Sequence, residues 1–243
     1  MDQPAYLRDP AYVRDQYASE TRLADRAALY VETTGPFAGD VAFEAVAEAS
    51  PRRVLEVGCG TGWFAARVLR DLGAEVVAID QSERMVELAR AEGVDARVGD
   101  VQQLAFADDE FDCVAANWML YHVPDLDRGL TEISRVLRPG GRLVATTNGN
   151  DHLLELWRLV GAEDVRRARE VSFGAENGGE VLRRHFRHVE LRDAGGTVTI
   201  ADRGPVVRYL RSMAAWKHLV ERVPEEVDPF VARRANVVFV AST

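Results

Sequence analysis

An apolar strand that runs straight into three closely spaced glycines, Val54-Leu55-Glu56-Val57-Gly58-Cys59-Gly60-Thr61-Gly62, constrains this chain more than any other stretch. Glycine is needed where backbone bends through positive φ or comes close to a ligand. An apolar helix follows, and its first turn offers free N–H groups and partial positive charge to an anion. The pattern describes a binding loop of nucleotide type. Polar residues then recur at regular intervals: Asp80 at the end of a second strand, Gly99-Asp100 after a third and Asn117 after a fourth.

From Arg53 onward short apolar runs alternate with helical periodicity. Strands are expected at Val54–Val57, Val76–Ile79, Ala96–Val98 and Phe111–Ala116, with helices from Gly62 to Leu72 and from Ser82 to Ala91. A helix from Asp125 to Leu137 is stopped by Arg138-Pro139-Gly140-Gly141, and strand Arg142–Thr147 follows. This alternation predicts an α/β fold with helices on both faces of a mostly parallel, Rossmann-like sheet. Upstream, Ala18–Tyr30 and Asp40–Ala49 read as helices around Thr34-Gly35-Pro36, so residues 1–50 form a helical cap and 51–170 the binding core. Downstream, a helix spans Asp151–Arg169 and a glycine-rich stretch, Gly174–Gly179, leads into a helix ending at His185. Strands His188–Leu191 and Thr197–Ile200, helices between Asp202 and Arg222, and a last strand Asn236–Ala241 complete the chain. Residues 171–243 thus hold final sheet strands and an insertion, about 194–234, expected to act as a lid within the same domain.

With 243 residues and 47% hydrophobic content the chain can bury one sizeable core. It has no apolar run near the roughly 20 residues of a membrane span, and Met1-Asp2-Gln3-Pro4 lacks signal-peptide order, so a cytoplasmic protein is expected. Two cysteines, Cys59 and Cys113, without CxxC or a Cys/His cluster, give no metal site and read as buried side chains. A net charge of −9 disfavours nucleic acid and anionic membrane as partners. The pairs Arg166-Arg167, Arg183-Arg184 and Arg233-Arg234 are scattered among acids and read as a solvated face.

Two nucleotide readings of the turn compete with a third. A P-loop requires Gly-Lys-Ser/Thr, which is absent. A dinucleotide fingerprint fits Gly60-x-Gly62-x-x-Ala65 with Asp80 downstream. Counted from Gly58, however, its third position is the bulky Trp63, where close packing wants glycine. The third reading is a resemblance. Val54–Gly62, Asp80, Gly99-Asp100, Phe111-Asp112 and Leu137–Gly141 together resemble the core motifs of class I S-adenosylmethionine-dependent methyltransferases, over residues 50 to 148. Tyr17–Leu29, with Leu23 and Arg26, is similar to the N-terminal cap of some small-molecule members.

The resemblance implies a seven-stranded sheet and S-adenosyl-L-methionine as cofactor, with S-adenosyl-L-homocysteine as product. Gly58, Cys59, Gly60 and Gly62 would set backbone against the methionine portion, Glu56 would help position it, and Arg26 would pair with its carboxylate or remain solvated. Asp80 would accept both ribose hydroxyls. Gln81 and Met85 would lie beside ribose and adenine, Asp100 at the adenine amine, Val101 at the ring, and Asn117 would offer its carbonyl to the ammonium. Met85 has a bland rival as core on an apolar helix face.

The acceptor is expected at strand C-terminal ends, beside Asn117–Pro124. Trp118 and Tyr121 would form an aromatic wall, and His122 is the candidate general base, with Tyr121 beside it. Asn148, His152, Phe173, Asn177 and Tyr209 are further pocket candidates. Tyr209, Met213 and Trp216 also have the spacing of an ordinary core stripe, the reading favoured for them. The expected reaction is methyl transfer to O, N or C of a small organic molecule by a monomer or homodimer, as in natural-product tailoring; the arginine and alanine richness resembles bacterial genomes of high GC content. RNA- or protein-directed methylation, an NAD(P)-linked oxidoreductase and a cofactor-binding module without turnover remain the alternatives.

Overall fold

The structure, a computed structural model, describes residues 5–17, 20–168 and 170–243. The expected helix start at Ala18 and helix end at Arg169 lie outside these residues.

In chain order the elements are α1 (Pro10–Gln16), α2 (Thr21–Ala27), β1 (Glu32–Thr34), α3 (Ala38–Ala47), β2 (Arg53–Val57), α4 (Trp63–Leu72), β3 (Glu75–Asp80), α5 (Glu83–Ala91), β4 (Asp95–Val98) and β5 (Phe111–Asn117). Then follow α6 (Leu126–Val136), β6 (Leu137–Asn148), α7 (Leu154–Leu159), α8 (Glu163–Arg167), α9 (Gly178–Leu182), β7 (His188–Asp193), β8 (Gly196–Ile200), α10 (Arg203–Arg211), β9 (Phe230–Arg234) and β10 (Asn236–Ser242).

Seven strands form the main sheet in the order β4-β3-β2-β5-β6-β10-β7. The first five pair in parallel, and β10 runs antiparallel to both of its neighbours. Alternate strand residues enter opposite layers, as the two-residue strand period requires. Val54, Val76, Ala78, Cys113, Ala115 and Val144 pack with α3, α4 and α5 on one face. Leu55, Val57, Val77, Ile79, Val114 and Leu143 pack with Leu130, Ile133 and Val136 of α6 on the other. Strand β2 lies between β3 and β5, where the order of connection reverses, the place at which open α/β sheets hold ligands.

The three glycines of the turn have three different tasks. A Cβ on Gly58 would meet the Met119 side chain at 2.7 Å, and one on Gly62 would come within 2.6 Å of the Ala89 Cα, so Gly62 lets α4 and α5 approach. Gly60, at φ +53°, faces open space. Of the expected binding glycines, Gly62 is therefore a packing residue and does not line the cavity described below. Asp112 of the resembling motif is structural as well: its carboxylate accepts the Arg52 and Arg53 N–H groups at 2.8 and 2.9 Å and is ion-paired to Arg138.

Several element boundaries differ from expectation. The Arg138–Gly141 stretch does not separate helix from strand; it bulges within β6, which already pairs at Leu137. The single helix expected over Asp151–Arg169 is two, because Gly161 at φ +63° ends the first. Strands β1 and β9 were not expected; with β8 they form a separate antiparallel sheet in the order β1-β8-β9. This small sheet, α7 and α10 enclose a third core around Trp157, Leu156, Ile200, Leu210 and Ala232, to which the cap contributes Leu29. Cap and insertion meet through Gln16, whose Nε2 donates to the Ser212 carbonyl at 2.6 Å and whose Oε1 accepts from the Ala214 N–H at 3.0 Å.

Gly62→Ala is expected to cost about 2–4 kcal/mol through steric conflict and left-handed strain, lowering Tm by roughly 5–12 °C in scanning calorimetry. Gly60→Ala meets open space and pays only the conformational strain, so its Tm falls by roughly 2–4 °C.

Candidate active site

A cavity of about 1060 Å³ opens at the carboxyl ends of the central strands and is closed over by cap and insertion. That exceeds the roughly 300–1,000 Å³ of a typical single-ligand pocket and leaves room for two molecules side by side.

At one end lies the glycine turn. The Gly58 and Cys59 N–H groups both donate to the Ile79 carbonyl, at 2.8 and 3.0 Å, which ties the turn to the end of β3. Asp80 completes the tie: its Oδ2 accepts the Gly60 N–H and its Oδ1 the Ser82 N–H, each at 2.9 Å. Each carboxylate oxygen keeps a further lone pair for a ligand hydroxyl. Burial raises the Asp80 carboxyl above its usual range, against those backbone bonds. Beneath the turn, Glu56 Oε2 accepts the Ala65 N–H at 3.0 Å, capping α4 from below. Asn117 Oδ1 accepts from Thr146 at 2.7 Å, which turns its amide NH2 towards Glu56 at 3.5 Å. Burial pushes the Glu56 carboxyl up to about 8. Burial likewise raises the Cys59 thiol, and pushes that of Cys113 up to about 12, so neither is a nucleophile.

Gln81, Gly99 and Val101 continue this wall. Two expected neighbours do not. Met85 is fully buried on the inner face of α5, the core role open to any methionine on an apolar helix face. Asp100 borders a separate depression of about 70 Å³, where its carboxylate receives the Gln102 amide at 3.1 Å.

Trp118 crosses between the two ends. It holds a left-handed backbone, φ +53°, its N–H donates to the Thr146 carbonyl at 2.9 Å, and its indole N–H donates to Asn148 Oδ1 at 3.0 Å. Asn236 donates to that same Asn148 oxygen at 2.6 Å, so Asn148 fixes the wall.

Beyond it lies the half of the cavity roofed by the cap. His122 Nδ1 lies 2.9 Å from the Leu7 carbonyl, which can only accept, so Nδ1 carries a proton. Nε2 lies 3.0 Å from the Tyr17 hydroxyl, and in neutral His122 it accepts the Tyr17 proton. Tyr17 was not among the expected site residues; it reaches His122 because the cap folds over the segment after β5. Tyr121 stacks beside His122, ring centroids 4.5 Å apart. Arg26 lies over the Tyr17 ring at 5.4 Å, lines the cavity, and has a buried Nη2 without a hydrogen-bond partner.

His152 is the other histidine that lines the cavity, and it is not poised as a base. The Ala235 N–H donates to Nδ1 at 3.2 Å, which leaves the proton on Nε2, 3.0 Å from the Tyr30 hydroxyl. Burial, then the nearby charges of Arg166 and Arg234, lower its pKa to about 3. Phe173, Tyr209, Met213 and Trp216 all line the cavity, so the stripe read as ordinary core is also a cavity wall. Asn177 does not line it: its amide bonds Val171, Ser172 and Gly174 and caps a local turn. The reading of three arginine pairs as solvated also fails at two positions, because Arg166 and Arg234 are 6% and 4% exposed and face the cavity.

No cluster of His, Cys, Asp or Glu suited to a metal occurs among the described residues, nor any helix long and apolar enough to cross a membrane.

Glu56 and His152 predict opposite pH effects on stability. Between 4.5 and about 8 the folded protein keeps a proton on Glu56 that the unfolded chain has lost, so this group weakens the fold as pH rises across that window. Between 6.5 and about 3 the unfolded chain protonates at His152 while the folded protein resists, so this group weakens the fold as pH falls. Urea unfolding of Glu56→Gln should therefore lose the decline on the alkaline side, and ¹⁵N NMR should find His152 neutral, with its proton on Nε2, down to about pH 4.

A profile of the methyltransferase domain matches residues 55–145, from β2 into β6. The ubiquinone biosynthesis O-methyltransferase of Mesorhizobium japonicum is 34% identical over 200 residues, 79% of this chain and 71% of that protein. Methyltransferase GfsG of Streptomyces halstedii is 40% identical over 109 residues, 42% of this chain, and the match spans only 39% of GfsG. Among solved structures the [4+2]-cyclase SpnF shares the fold, with a TM-score of 0.62 at 21% identity over 95% of this chain and 93% of that one. The glycine turn bonded to Asp80, the strand order and the extended match to a methyltransferase together place the chain in the class I S-adenosylmethionine-dependent methyltransferase family.

Proposed function

We propose that this chain binds S-adenosyl-L-methionine and transfers its methyl group to O, N or C of a small organic molecule. The observation that carries the reading is the open space above Gly60, bounded by Asp80, Glu56 and Asn117, which fits a ligand with a diol at one side and an amino acid at the other. Asp80 would accept the ribose hydroxyls through its remaining lone pairs. Gly99 and Val101 would border the adenine, with Gln81 at its edge. Asn117 and Glu56 would hold the ammonium, and the partnerless Nη2 of Arg26 would meet the carboxylate. When bound, the cofactor supplies an electrophilic methyl group that an acceptor atom takes in line, leaving S-adenosyl-L-homocysteine.

On the acceptor side the Tyr17 hydroxyl, having given its proton to His122, turns an oxygen lone pair to the cavity. An acceptor O–H or N–H can donate there, and its proton can pass through Tyr17 to His122 Nε2 as the methyl bond forms. Positioning within the roofed cavity would supply most of the remaining rate. The enclosed site and the curated relatives, including one named for ubiquinone biosynthesis and the Streptomyces enzyme GfsG, favour a biosynthetic small molecule over RNA or protein. The half-exposed Trp63 at the start of α4, where a dinucleotide fingerprint wants glycine, disfavours NAD(P).

Calorimetry with S-adenosyl-L-methionine and S-adenosyl-L-homocysteine tests the reading, with NAD and NADP as controls. Micromolar binding of both sulfur ligands, weakened by about 10²-fold or more in Asp80→Ala, is expected. Binding of NAD in their place would overturn it.

A further inference from the structure

The far end of the cavity is built from cations. Residues 149–153 are zipped to residues 233–235: the Gly149 N–H donates to the Ala235 carbonyl at 2.8 Å, and the Leu153 N–H to the Arg233 carbonyl at 2.7 Å. This zipper brings Arg234 of β9 and Arg166 of α8, whose Nη2 donates to the Gly149 carbonyl at 3.2 Å, to the same wall as His152 and Tyr30. Arg234 donates through Nη2 to the Thr34 and Pro36 carbonyls, forms no ion pair with a carboxylate of the described residues, and has a buried Nε without a hydrogen-bond partner. Trp157, over whose ring the Arg166 guanidinium lies at 5.9 Å, is buried, lines the cavity and has an indole N–H without a partner.

A guanidinium almost wholly removed from water and bonded only to backbone carbonyls has no local charge to balance it. Histidine does not help, because His152 gives its single N–H to Tyr30 and is held neutral. The cavity's own acids, Glu56 and Asp80, belong to the opposite, glycine-turn end, and Glu20 at the rim is paired to Arg84. The lining carboxylates thus gather at the glycine-turn end, and of the three lining arginines Arg26 belongs to the cap beside Tyr17 while Arg166 and Arg234 stand together at the far end.

We propose that the cationic end, Arg166 and Arg234 with Trp157, is an oxyanion subsite, and that the methyl acceptor is an acidic molecule whose carboxylate or phosphate lies there. This deepens the methyltransferase reading and rests on it for the word acceptor. The apolar body of such a molecule lies against Met213 and Trp216 and extends back towards Tyr17. The subsite also explains an otherwise costly choice, arginine at the inward-facing position of β9.

The test compares matched probes by calorimetry on the full chain, with and without saturating S-adenosyl-L-homocysteine: 4-hydroxybenzoate against 4-hydroxybenzamide, hexanoate against hexanamide, and phenyl phosphate against phenol. Each anion is expected to bind about tenfold or more tightly than its neutral partner. In Arg234→Gln and Arg166→Gln that preference should shrink to about twofold. Melting temperature identifies a variant that fails to fold; Arg166→Gln and the wild-type comparison then decide. A larger gain for phosphate than for carboxylate assigns a phosphorylated acceptor, the reverse a carboxylic acid. Equal binding of anion and neutral partner in the wild type, or a preference undiminished in both variants, overturns the subsite. Loss of S-adenosyl-L-homocysteine binding alone would overturn the cofactor reading, while an anion preference without it would leave the subsite standing.

Discussion

Everything at this site depends on one junction, the bonding of the glycine turn to the end of β3. Two consecutive N–H groups, of Gly58 and Cys59, converge on the Ile79 carbonyl, and the next along the turn, the Gly60 N–H, reaches the Asp80 carboxylate. That arrangement needs left-handed backbone at Gly58, Gly60 and Gly62. It holds the turn open rather than letting it collapse onto its own helix, and it aims the carboxylate into the cavity already half engaged. Glu56, fixed from below by the α4 N-terminus, then supplies a second acid within the same wall.

Buried ionisable groups are concentrated here to a degree that stability alone would not select. Glu56 is pushed up to about 8 and His152 down to about 3, each at a cost to folding on one side of neutrality. Arg234 adds a buried cation with carbonyl partners only. Groups that destabilise an empty fold are explained when a ligand of opposite charge completes them. A cofactor bearing an ammonium suits the acidic end, and an acidic acceptor suits the cationic end.

The central sheet was legible because its strands are buried on both faces and bounded by turn residues, so Val54–Val57, Val76–Ile79 and Phe111–Ala116 announce themselves locally. The small sheet was not. Its register joins Thr34 to Thr197, residues far apart in the chain, and β1 is exposed along its whole length, leaving no hydrophobic pattern to read. In β9 the alternation is present, but the inward residues are Ala232 and Arg234, and an inward arginine imitates a solvent-facing one. Met85 illustrates the converse, since an apolar residue on a buried helix face looks the same whether it meets core or ligand. Tyr17 acquires its part only when the cap lays it against His122, and Asn177 loses its expected part because its amide is consumed by its own loop. Tertiary contacts of this kind leave no spacing signal in a single sequence.

A crystal structure with S-adenosyl-L-homocysteine soaked into the protein tests the central claim most directly. The account predicts density across the glycine turn, with the ribose hydroxyls on Asp80 and the sulfur turned past Trp118 towards Tyr17 and His122. Density in which the adenine occupies the arginine end, or in which the sulfur faces away from Tyr17, would contradict it.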